Sequence, residues 1–173
     1  MSEIPATYRT PHGLDAGLRK QLLARSNAVL ATINSDGSPH LTELIFYLDD
    51  EDRILLPTPH ATRKVKNLLA RPTVTVFISV ESGWASCTGT ARVIEGEEAA
   101  RLNQLNRERV LTEAGMATMG LLLAAYENTT IEVTPERWIA WNDEPVLDTI
   151  VSLGGDIETH PPSTWWKDLG TEG

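Results

Sequence analysis

The chain of 173 residues holds a single cysteine, Cys87. One cysteine cannot close an internal disulfide, which fits a reducing cytoplasm. Positive charge is also scarce. Fifteen Lys plus Arg face 24 Asp plus Glu, a net charge of −9. That balance excludes a general binder of nucleic acid or of anionic membranes. No apolar run approaches the ~20 residues that a membrane span needs. Residues 1–9 lack the basic-then-apolar order of a secretory signal. Together these absences lead to the expectation of a soluble, cytoplasmic protein. Repeats and low-complexity segments are missing too. So are a Walker loop, a G-x-G-x-x-G fingerprint and any local hydrolase motif. His12, His40, His60 and His160 are scattered at no metal-ligand spacing, so no metal site is expected.

What is present reads as short strands punctuated by turns. Hydrophobic residues make up 41% and charged residues 23%, ordinary values for one globular domain with a buried core. Leu14, Leu18 and Leu22 recur at four-residue steps and predict a short amphipathic helix over residues 15–27. Residues 28–33 and 40–48 flank Ser35-Asp36-Gly37-Ser38, and an Asp-Gly pair between two β-like runs signals a hairpin. A third strand is expected over 53–58 and a helix over 61–70, stopped by Pro72. The β-branched run 73–80 reads as a central strand. Another covers 85–94, where Gly89 marks a bulge or a close backbone approach. Helices are expected over 97–110 and 113–126. A last strand covers 129–141, with Pro135 placing its middle at an edge or bulge. Cys87, inside a strand, reads as a small buried hydrophobe rather than a nucleophile.

These six strand-like runs suggest a mainly β fold, a small antiparallel barrel with peripheral helices. Residues 1–142 form the barrel domain with its N-terminal helix. Residues 143–173 form a C-terminal tail with few regular signals, expected to pack on the barrel or on a partner subunit. Trp165 and Trp166 need a docking place, since two exposed tryptophans on a free tail are costly.

One local excess stands out. Arg63, Lys64, Lys66 and Arg71 lie between His60 and Arg71 with no acid among them. Arg63 and Lys64 fall in the first turn of the expected helix, where cations oppose the helix dipole. A bound anion would reverse that sign. Backbone amides, two cations and the hydroxyls of Thr58 and Thr62 make a phosphate site. A solvated basic face is the other reading of the same residues.

The order of these pieces resembles the pyridoxamine phosphate oxidase-like superfamily, the FMN-binding split barrels. The resemblance rests on Leu30-Ala31-Thr32-Ile33 with Asp36-Gly37-Ser38-Pro39, then Thr58-Pro59-His60-Ala61-Thr62-Arg63-Lys64, Asn67-Leu68 and Pro72. It continues with Gly89 to Val93 and with Thr134-Pro135-Glu136-Arg137 before Trp138-Ile139-Ala140-Trp141. It implies a six-stranded antiparallel split β-barrel whose strand-to-helix segment grips a cofactor phosphate. Thr58, Thr62, Arg63 and Lys64 would then be phosphate ligands. The strand holding Thr42, Glu43, Leu44 and Ile45 would pass along the cofactor ring and offer it backbone groups. Trp84 and Trp141 would wall the pocket. A homodimer is implied, with each cofactor site shared between two subunits and Trp141 reaching across, Trp138 nearby. Ile131, Val133 and Ile139 would supply apolar interface residues.

The true oxidase carries an Arg-x-His segment after its closing tryptophan, to hold pyridoxal. Here Asn142-Asp143-Glu144-Pro145-Val146 follows Trp141, so pyridoxamine phosphate is not the expected substrate. Lys64-Val65-Lys66-Asn67-Leu68 and Ser82-Gly83-Trp84 are similar to the deazaflavin-dependent reductases of this fold. The implied cofactor is FMN or the deazaflavin coenzyme F-420. The implied activity is hydride transfer between that cofactor and a small organic acceptor, with no catalytic acid or base identified. A non-catalytic flavin- or haem-type binding protein is the alternative.

Overall fold

A computed structural model of the chain describes residues 8–10, 14–80, 83–124, 126, 128–142 and 144–164. Strand β1 spans Tyr8–Thr10, helix α1 Ala16–Leu23, and strands β2 Asn27–Ile33, β3 Pro39–Ile45, β4 Tyr47–Leu48 and β5 Ile54–Pro59. Helix α2 (Arg63–Ala70), strands β6 (Thr73–Val80) and β7 (Gly83–Ile94), and helices α3 (Gly96–Val110) and α4 (Glu113–Ala124) follow. Strand β8 (Asn128–Asn142), helix α5 (Glu144–Ser152) and a 3-10 turn at Pro162–Thr164 complete the described chain.

All strand pairings are antiparallel, in the order β3-β2-β6-β7-β8-β5-β4. β3 and β4 stand at opposite ends of that order, yet only Phe46 separates them in the chain. The sheet must therefore curl until its two edges meet, and Phe46 sits fully buried at the closure. Among the described residues the seam has no ladder between β3 and β5, and β3 pairs along one edge only. This is a mainly β fold with peripheral helices, a curled antiparallel split barrel. The described residues form eight strands rather than the six expected. The run 40–48 breaks at Phe46 into β3 and β4, and β1 adds to the distal end of β8.

Alternation decides which side chains fill the barrel. Ala28, Leu30 and Thr32 of β2 point inward, as do Val74, Val76, Ile78 and Val80 of β6. Leu22 from α1 and Val65 and Leu68 from α2 plug into the same core. Ile131 and Val133 are buried in this core as well, so they cannot form the subunit interface expected of them, while Ile139, the third residue expected there, is half-buried; Trp138, expected near the shared site, lies in the core too. The strand's two-residue period turns Ile131 and Val133 to the inner face, and the extra residue at the β7–β8 register shift brings Trp138 to the same face.

Between Thr88 and Gly89 the β7–β8 register slips. Gly89 faces Pro135 and Thr88 faces Arg137, which leaves Glu136 as the extra residue of a bulge. A Cβ at Gly89 would lie 2.2 Å from the Thr134 carbonyl oxygen. Both sequence signals, the glycine and the proline, mark this one feature.

The tail holds more regular structure than its sequence signals suggested, namely α5 and the 3-10 turn. Val151 and Leu153 at the end of α5 are exposed. Trp165 and Trp166 lie outside the described residues. None of the described helices is long and apolar enough to cross a membrane.

Candidate functional site

Two prolines shape the approach to the site. Pro57 and Pro59 flank Thr58 at the end of β5, and neither can donate a ladder hydrogen bond. The chain leaves the sheet there, turns through His60 and Ala61, and enters α2 at Thr62. Thr62 has the extended backbone of an N-cap residue, but its side chain caps nothing. Its Oγ1 is buried with no hydrogen-bond partner among the described residues. No acidic residue lies in the first turn of α2. The helix start thus keeps its amide donors and its positive dipole end uncompensated.

Lys64 turns inward from that first turn and is 8% exposed. Its Nζ donates to Thr58 Oγ1 at 3.0 Å. Among the described residues it has no carboxylate partner, and burial alone holds its pKa below the ordinary lysine value. A buried cation without a counter-charge is costly, and a bound anion would remove that cost. The Thr58 hydroxyl accepts from Lys64, so its own proton is free to donate. The orphaned Thr62 hydroxyl supplies a second donor. This donor set fits a phosphate.

Arg63 is exposed and faces the other way. With Lys66, Arg71, Asn67, Asn34 and Ser35 it lines a groove of about 530 Å³ between α2 and the β2–β3 hairpin. Asn67 latches the two elements. Its Nδ2 donates to Thr32 Oγ1 at 3.0 Å and to Asn34 Oδ1 at 3.1 Å. Arg71 adds a bond to the Asn34 carbonyl at 3.4 Å. Asp36 lies near enough for Arg63 to help lower its carboxyl pKa, though bonds from Ser38 do most of that. Sequence reading treated Ser35 only as part of a turn. It missed Asn34 and Ser35 because the fold, not the chain order, sets the hairpin against α2.

The remaining expected residues divide in two. Thr42 and Leu44 pair with Leu30 and Ala28 on the inner face of β3. Thr42 Oγ1 is buried without a partner among the described residues. Glu43 points outward, where Asn27 Nδ2 donates to it at 3.1 Å, and Ile45 pairs with Asn27 at the strand's end. Trp84 and Trp141 face each other across β7 and β8, half-buried on the outer sheet face. The Trp84 ring stacks on Phe77 with centroids 5.9 Å apart. These tryptophans are remote from Thr58 within one chain. Thr58 pairs with Thr129 at one end of β8, and Trp141 lies twelve residues further along. That is roughly 40 Å of strand.

His60 Nδ1 lies 3.1 Å from Glu95 Oε1 at the mouth of the same segment. Cys87 is buried in the core, where desolvation pushes its thiol up to about 12, so it is no nucleophile.

Comparison with known proteins agrees with this architecture. No curated protein matches the chain significantly. A conserved hypothetical protein from Mycobacterium tuberculosis has a similar structure, at TM-score 0.66 and 21% identity over 84% of this chain and 92% of the other. An F-420 reductase matches at TM-score 0.57 and 20% identity, over 72% of this chain and 98% of that one. The haem storage protein from Vibrio cholerae matches at TM-score 0.57 and 19% identity, over 71% and 90%. These likenesses concern the fold. The family model for pyridoxamine 5'-phosphate oxidase matches residues 14–142, three quarters of the chain and strands β2 to β8, and on that match the chain belongs to the pyridoxamine 5'-phosphate oxidase family.

Proposed function

We propose that this chain binds a phosphorylated flavin or deazaflavin and acts as an oxidoreductase on a small organic acceptor. The observation that carries the reading is Lys64, buried against Thr58 at the uncapped start of α2 with no counter-charge among the described residues. Lys64 would supply charge to the phosphate and Thr58 and Thr62 hydrogen bonds, while Arg63, on the groove side of α2, would meet further anionic groups of the cofactor. The open edge of β3, from Thr42 to Ile45, would offer backbone donors and acceptors to the polar rim of the ring. The cofactor, once bound, supplies the hydride chemistry, while the protein supplies position and electrostatics.

The distance between Thr58 and Trp141 supports a site shared across a two-fold axis. One chain cannot bring both to one ring, but two chains side by side can. The outer sheet face would meet its copy, since Leu41, Phe77 and Ile33 are exposed there. A cofactor with anionic groups beyond its phosphate would also engage Lys66 and Arg71 in the groove.

Pyridoxamine phosphate is not the proposed substrate, because the residues after Trp141 lack the Arg-x-His pair. A second reading, non-catalytic binding or storage of a flavin- or haem-type ligand, draws on the structural likeness to a haem storage protein. One experiment separates them. The purified protein is incubated with FMN, with coenzyme F-420 or with haem, then desalted, and its absorbance spectrum is recorded. The reduced complex is then offered nitroaromatic and quinone acceptors. Retained flavin or deazaflavin with protein-dependent reoxidation supports the oxidoreductase. Retained haem, or a cofactor whose reoxidation the protein does not accelerate, favours the binding protein.

A further inference from the structure

Behind Thr58 runs a buried chain of polar side chains that leads away from the site to α3. Thr129 Oγ1 donates to the Thr58 carbonyl at 3.1 Å. Asn103 Nδ2, from α3, donates to the Thr129 carbonyl at 3.3 Å. Thr130 Oγ1 donates to Asn103 Oδ1 at 2.7 Å. Thr129, Thr130 and Asn103 are each at most 2% exposed. A helix packed on a sheet can bury apolar residues at such positions at lower cost. Here three polar ones are buried and bonded to each other.

The strand end explains what they do. Thr58 lies between Pro57 and Pro59, so β5 lacks ladder donors on both sides of it. The Thr129 hydroxyl adds a tie to the Thr58 backbone where the ladder is weakest. Thr58 must hold its side chain steady to accept from Lys64 and still aim its proton outward.

We propose that Thr129, oriented by Asn103, is a positioning residue for the anion site. It touches no ligand. It fixes the Thr58 backbone, and through Thr58 it fixes the Lys64 ammonium. This inference rests on the reading of Thr58 and Lys64 as phosphate ligands.

The test compares affinities for FMN and riboflavin, which differ by the phosphate. Wild type, Thr129→Val and Thr129→Ser are titrated with both, and their melting temperatures are measured. Removing the hydroxyl should lower the FMN-over-riboflavin preference about three- to tenfold. Thr129→Ser, which keeps the hydroxyl, should restore it. If the valine variant fails to fold, Thr129→Ala removes the same hydroxyl and takes its place. A valine variant that binds both ligands more weakly by the same factor, or that only melts earlier, overturns the positioning role. A wild type that shows no preference for FMN fails earlier, at the phosphate reading itself, and removes the basis of the proposal.

Discussion

Lys64 Nζ and Thr58 Oγ1, 3.0 Å apart, join the last buried turn of a strand to the first turn of a helix. The lysine has given up most of its hydration without gaining a carboxylate among the described residues. Such an arrangement costs stability in the free protein and returns it when an anion binds. Four predictions follow from this relationship and from the fold that produces it, each with its own measurement.

The free protein should be stabilised by removing the charge of Lys64. Burial holds its folded pKa below 10.5, the ordinary lysine value. Between those two pKa values the unfolded chain binds more protons than the folded one, so stability rises with pH across that window. The penalty is fully present below the folded pKa and gone above about 10.5. Denaturant melts of wild type and Lys64→Met from pH 7 upward should show the variant's advantage shrinking as pH rises. An advantage that grows with pH would mean that the lysine is stabilised by a partner.

Gly89→Ala should destabilise the barrel without weakening ligand binding. The new Cβ would meet the Thr134 carbonyl oxygen at 2.2 Å and Pro135 Cα at 3.0 Å, both backbone atoms. Overpacking of this kind costs about 1–3 kcal/mol, and a chain of this length loses roughly 2–4 °C of melting temperature per kcal/mol. Calorimetry measures the drop. An unchanged melting temperature would show that the bulge opens freely.

A shared site predicts complementation between subunits. Light scattering should give twice the 19.0 kDa chain mass. Lys64→Ala chains mixed with Trp141→Ala chains should recover one intact cofactor site per heterodimer, where either variant alone has none. A monomer that binds cofactor at wild-type strength would rule this out.

Much of the barrel is legible in the sequence because its devices are local. The Asp36-Gly37 hairpin, the stop at Pro72 and the Gly89–Pro135 bulge each rest on a few adjacent residues whose backbone chemistry allows little else. Lys64 and Thr58 could both be named from the sequence for the same reason, since they stand only six positions apart. The inward turn of Ile131, Val133 and Trp138 was not, because the two-residue period of a strand does not say which face a curled sheet encloses. The Asn67 latch and the Thr58–Thr129–Asn103 chain depend on residues 26 to 71 positions apart. Only the closed fold brings those together. The short β4 and β1 escaped notice because strands of two and three residues carry no period to read.

The central claim is that Lys64 and Thr58 receive a cofactor phosphate. Titration of FMN and riboflavin into wild type and Lys64→Ala tests it most directly. A charge-assisted hydrogen bond contributes roughly 1.5–3 kcal/mol, so the variant should lose about tenfold or more in FMN affinity. Its riboflavin affinity should stay close to that of wild type. Equal FMN affinity in the two proteins would contradict the account.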